Sequence, residues 1–79
     1  MTYDYGKVRI TLDDYMNKHQ VSVSKLAYAS EMERSQLRRY MNNEIQRVDI
    51  GVLSRICYSL GCEIGDIMKY ETRNEGGNR

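Results

Sequence analysis

The sequence predicts a small all-α bundle of five helices with a possible short strand at its N-terminus. Three observations carry this. Apolar residues recur at three- and four-residue spacing through most of the chain. Helix-start and helix-stop residues stand between those runs, among them Ser22, Asp49 and Gly61. No proline interrupts the runs, and no strand-rich middle competes with them. At 79 residues the chain allows one domain with a modest core. Residues 1–10 are expected to be an N-terminal arm or strand, 11–70 the folded domain, and 71–79 a polar, disordered tail with a glycine pair.

The N-terminal segment leaves two readings open. Tyr3, Tyr5, Val8 and Ile10 keep no single period, and Gly6 interrupts them. In the first reading Lys7 to Ile10 is a short strand and Thr11 caps a helix. Asp14, three residues on, completes a capping box, and Asp13 and Asp14 suit the positive helix start. In the second the helix begins near Lys7, with Val8, Leu12, Tyr15, Met16 and His19 on one face. The cap reading is favoured. A lone strand has unpaired edges, and a second copy of the chain is its expected partner. The first helix ends near His19 or Gln20 without a glycine, so its end either frays or uses Gln20 in a strained form.

Residues 22 to 43 read as two short helices joined by a tight turn. The first runs from about Val23 to Ser30 behind the N-cap residue Ser22. The second runs from about Arg34 to Asn42. Leu37, Tyr40 and Met41 fall on one face of it; Arg34, Ser35, Arg38, Arg39 and Asn42 fall on the other. Three arginines with no acid among them present forked donors that suit guanine edges and phosphates.

The loop 42–49 follows. Asn42 and Asn43 tolerate the left-handed backbone that stops a helix, Ile45 and Val48 anchor the loop, and Arg47 is either a phosphate contact or a solvated surface arginine. Asp49 caps a helix to Leu60, with Ile50, Leu53, Ile56, Cys57 and Leu60 as its buried stripe and Gly61 as its stop. A last short helix spans roughly Ile64 to Tyr70.

Particular residues of this pattern resemble the Cro and phage-repressor family, the xenobiotic-response-element type of helix-turn-helix, over roughly residues 12 to 70. Leu26–Ala27 is similar to the family's Leu–Ala pair, where a small residue lets two helices cross closely. Met32 matches the apolar residue after the turn, Leu37 the buried residue of the second helix, and Tyr40 the apolar residue one turn on. Arg34-Ser35-Gln36-Leu37 is similar to the start of the family's recognition helix, and residues 55–68 to its fourth and fifth helices. Three positions depart from the pattern. Glu31 stands where glycine is usual, at a cost of roughly 1 kcal/mol if the backbone there has positive φ. Glu33 replaces the usual Ser or Thr cap, and Val23 a common Gln that meets backbone phosphate.

The resemblance implies a lambda-repressor-like domain. Its function would be that of a sequence-specific, double-stranded DNA-binding transcriptional regulator, a repressor, with the helix at 34–42 in the major groove. The family's base-contacting positions carry over to Arg34, Ser35 and Arg39; Arg38 shares their face and reaches a base or a phosphate. Ser22, Lys25 and Asn43 are candidates for the DNA backbone, as is Arg47. One domain contacts few base pairs, so a homodimer on a two-fold operator is expected. The rival reading is a protein-interaction or antidote module with the same fold and no DNA readout.

Charge adds modest support. Net charge is +1, but Lys25, Arg34, Arg38, Arg39 and Arg47 outnumber Glu31, Glu33 and Glu44 within residues 22–48. No catalytic set is visible: His19 is the only histidine, and Asp13 and Asp14 are adjacent and face apart. Cys57 and Cys62 have no second pair for a metal and read as buried thiols suited to a reducing compartment. No enzyme, cofactor, metal, membrane span or small-molecule ligand is expected. The expected location is the cytoplasm, associated with the nucleoid, for a regulator of bacterial or phage origin.

Overall fold

The computed structural model describes residues 5–72. Strand β1 (Lys7–Ile10) leads into α1 (Leu12–His19), α2 (Val23–Ser30), α3 (Arg34–Met41), α4 (Ile50–Leu60) and α5 (Ile64–Ile67), and β2 (Met68–Glu71) closes the order. The expected tail lies outside the described residues from position 73 onward, as does Tyr3.

Three expectations are corrected by the strands. The chain is mostly helical but not all-α, because the last helix stops at Ile67 and the chain continues as β2 instead of running helical to Tyr70. The partner of β1 is therefore not a second copy. It is β2, antiparallel, with Val8 opposite Tyr70 and Ile10 opposite Met68. β2 also includes Glu71, where the tail was expected to begin. A two-stranded ribbon is marginal by itself, and this one is held at several points. Thr11 N–H donates to the carbonyl of Ile67 at 2.7 Å, Arg9 joins Glu71 at 3.2 Å and Asp14 at 4.0 Å, and the Tyr70 hydroxyl donates to the carbonyl of Tyr5. Gly6 has φ +76°, and a Cβ there would run into the carbonyl oxygen of Glu71.

The outer edge of β1 is closed at Ile10 by a side chain. Ile10 N–H donates to Asn43 Oδ1 at 2.8 Å, and Asn43 Nδ2 donates back to the carbonyl of Ile10 at 2.7 Å. One amide thus makes the two bonds that another strand would make.

The sheet also explains why the capping box at Thr11 does not form. Thr11 sits at φ −109°, ψ 29°, outside the extended region of a normal N-cap, and its side chain makes no cap bond. Its hydroxyl donates instead to the carbonyl of Asp66 at 3.5 Å. At the far end of α1, Gln20 is left-handed with φ 57°, so of the two endings left open the strained form is the one present.

The core joins β1 and all five helices, with Met68 of β2 packed against it: Ile10, Leu12 and Met16 meet Leu26 and Ala27 of α2, Leu37 and Tyr40 of α3, Val52, Leu53 and Ile56 of α4, and Ile67 of α5. On α4, Asp49 accepts from Gly51 and Val52 N–H as expected. Ile50, expected in the buried stripe, is 76% exposed, and Val52 is buried in its stead. The buried face is centred on Val52, Leu53 and Ile56, which at 100° per residue leaves Ile50 about a third of a turn away.

Gly61 ends α4 with φ 67°, and Cys62 N–H reaches the carbonyl of Cys57 at 3.1 Å, the wrap that brings these two residues together. Both thiols are free and partly buried. Burial, then the neighbouring Cys57, pushes the Cys62 thiol up to about 11.

Two outcomes are expected. Asn43 has φ 62°, which glycine tolerates, so Asn43→Gly removes the amide without adding strain. It should destabilise the fold by about 1–3 kcal/mol in urea unfolding. At pH 8, Cys62 should react with iodoacetamide more slowly in the native than in the unfolded protein, followed by peptide mass spectrometry. Its native rate should keep rising with pH toward 11 instead of levelling near 9, because only the thiolate reacts.

Candidate nucleic-acid interface

The α2–turn–α3 unit is set by its caps. Ser22 lies in extended backbone and its Oγ accepts from Lys25 N–H at 3.1 Å, which starts α2. That bond uses an oxygen lone pair, so the hydroxyl proton remains to be donated. At the other end Glu31 is left-handed with φ 58°, and Met32 N–H reaches back to the carbonyl of Ala27 at 2.9 Å. The condition attached to the missing glycine, a positive φ, is therefore met at Glu31. Met32 then drops into the core, and α3 starts at Arg34 behind Glu33, whose side chain makes no cap bond.

Inside this unit Ser30 is buried. Its Oγ donates to the carbonyl of Leu26 at 2.6 Å, and its own carbonyl accepts from Arg55 Nε of α4 at 2.8 Å. On α3, Leu37 and Tyr40 are buried, and the Tyr40 hydroxyl accepts from Asp49 N–H at 3.2 Å. The apolar side of α3 is thereby fixed against the bundle.

The opposite side carries the candidate readers. Arg34, Ser35, Arg38, Arg39 and Asn42 are all exposed. Among the described residues the ion pairs are those of Arg9, and neither Arg38 nor Arg39 has a partner. Arg34 Nη1 donates to Ser24 Oγ on α2 at 3.2 Å. This bond brings the start of α3 to the first turn of α2, where Ser22 and Lys25 are also exposed. The other two candidates stand apart from that cluster. The amide of Asn43 is engaged with Ile10, and Arg47 is exposed in the loop with no bond to α3.

Ser24 is the residue the spacing did not single out. It contacts Arg34 across ten positions and a turn, so no helical period links the two. Elsewhere His19 is exposed and its ring lies 4.2 Å from that of Tyr15, with no acid–base partner bonded to it. No group of three potential metal ligands occurs among the described residues.

The family model for Cro/C1-type helix-turn-helix DNA-binding domains matches residues 11–73, which take in all five helices and β2. The chain belongs to the Cro/C1-type helix-turn-helix family. Comparison with curated proteins gave no match. In this Cro/C1-type domain, α2 and α3 are the helix-turn-helix pair, and the family supports a DNA-binding regulator in general terms. Such families are typically non-enzymatic. Among the described residues, no helix is long and apolar enough to cross a membrane.

Replacing Glu31 by glycine removes the strain of a left-handed L-residue in the turn of this unit. Glu31→Gly should raise stability by about 1 kcal/mol, seen as a rise in Tm of roughly 4–8 °C by thermal circular dichroism.

Proposed function

We propose that this chain is a sequence-specific, double-stranded DNA-binding transcriptional regulator, a repressor, that lays α3 in the major groove. The observation that carries the reading is the free arginine face of α3. Arg34, Arg38 and Arg39 all point to solvent, and none is neutralised by an ion pair among the described residues. An ordinary surface helix mixes both signs along such a face. Arg34, Ser35 and Arg39 read base edges and Arg38 a base or a phosphate; guanine O6 and N7 are the partners that suit arginine. Ser22 and Lys25 hold the DNA backbone from the N-terminus of α2, where backbone N–H groups and the helix dipole favour an anion. Arg47 adds a phosphate contact, and Asn43 contributes beside it, its amide held in place by Ile10.

One copy offers few base contacts, so the working form is a homodimer on a two-fold site with half-sites about one helical turn apart. The domain, residues 11–70 with its flanking strands, acts in the cytoplasm at the nucleoid.

Selection from random duplexes followed by sequencing tests this reading. It should enrich a G-containing half-site, often as an inverted repeat. Arg39→Ala should cost about 1–3 kcal/mol and relax one base position. Affinity should fall steeply with salt as phosphate contacts release counterions. Equal, weak binding to every duplex would favour a protein-interaction module built on the same fold.

A further inference from the structure

Ser22 caps α2 with its own hydroxyl, so Ser24, the second residue of the helix, is not needed as a cap. Its oxygen is spent on Arg34 instead, at 3.2 Å from Nη1. Both side chains are exposed, and Arg34 is not drawn into an ion pair among the described residues, although Glu31 and Glu33 lie in the intervening turn. The guanidinium is a rigid planar fork with five N–H donors. Committing Nη1 to Ser24 leaves Nε and Nη2, which point to the same side, free as a pair. That pair matches the O6 and N7 acceptors on the major-groove edge of guanine. Arg38 and Arg39 have no such tether among the described residues, so Arg34 alone of the three is set before DNA arrives.

We propose that Ser24 is a positioning residue: its hydroxyl holds the Arg34 guanidinium in the orientation that reads one guanine in each half-site. This rests on the DNA-reading function given above. Immobilising a flexible side chain in advance removes an ordering cost from binding. Because the cost is removed only where the base accepts the fork, Ser24 acts on specificity at one position and not on affinity for duplexes at large.

The test compares wild type, Ser24→Ala, Ser24→Thr, Arg34→Ala and the Ser24→Ala/Arg34→Ala double variant, each checked for folding by circular dichroism. Random-duplex selection and salt titration are run on all five. Ser24→Ala should lower discrimination at one base pair by about three- to tenfold and leave the salt slope unchanged. Ser24→Thr keeps the hydroxyl and should retain discrimination. The double variant should match Arg34→Ala at that position. In the free protein, rotational exchange of the two Arg34 Nη1 protons about the Cζ–Nη1 bond should be slower than at Arg38 and Arg39, and Ser24→Ala should erase the difference by NMR. Uniform weakening with a shallower salt slope would make Ser24 a phosphate contact and overturn the proposal. So would unchanged discrimination in Ser24→Ala while Arg34→Ala flattens a position. If wild type itself prefers no sequence, the function falls and the base-reading role with it; the exchange measurement separates that case from loss of the tether.

Discussion

The burial of Leu37 is the constraint on which the rest depends. A helix of eight residues is marginal in water on its own, so α3 exists because its apolar side packs. Leu37 is fully buried, with Tyr40 beside it one turn on, and the Tyr40 hydroxyl is anchored to the backbone at Asp49. Once that side is fixed, the 3.6-residue period leaves no choice about the other. Positions 34, 35, 38, 39 and 42 must face out. Any sequence change that rotates α3 to bury a different residue would therefore lose the core contact and the arginine face together.

The same coupling runs through the end of α3. Asn43 leaves the helix in a left-handed conformation and then binds both backbone groups of Ile10. Ile10 is a core residue and the last of β1. The strand, the core and the C-terminal end of α3 thus meet at one amide. α1 and α2 also end on left-handed residues that are not glycine, Gln20 and Glu31, whereas α4 ends on Gly61. Of the three non-glycine stops, Asn43 alone recovers two hydrogen bonds through its side chain. Asparagine also enters this backbone region more readily than Gln or Glu, since its short amide bonds locally.

What was legible in the sequence was what local chemistry decides. Ser22, Asp49 and Gly61 act as cap, cap and stop where their residue types put them, and α2 and α4 have the expected limits. The outward arginines followed from period alone. What was not legible depends on pairs far apart in the chain. Met68–Glu71 is only four residues long and follows a helical turn without a break, so neither period claims it. Its strand character comes from Lys7–Ile10, some sixty positions earlier, and each strand is ambiguous until the other is present. Thr11 followed suit: its backbone was drawn to Ile67, which pulled its dihedrals away from the cap. Ile50 reads as core by spacing, yet the axis of α4 is set by where Val52 and Ile56 pack. Ser24 escaped for the same reason as β2, since its partner lies across a turn.

Charge shows how such an interface would have to work. The whole chain carries +1, and the cations within residues 22–48 are partly offset by Glu44 and by Glu31 and Glu33 in the turn beside the arginines. A field this small steers a polyanion weakly. Affinity from phosphate contacts scales with the number of cations brought to the backbone, and one copy offers few. On the proposed reading the remaining contribution comes from geometry: a helix backbone fixed by its buried face, and one fork, that of Arg34, tethered to Ser24. Doubling the domain on a two-fold site doubles those fixed contacts and the phosphate contacts together without enlarging either per copy. On the proposed reading, a weakly charged domain with a well-braced α3 discriminates between duplexes more than it binds them all.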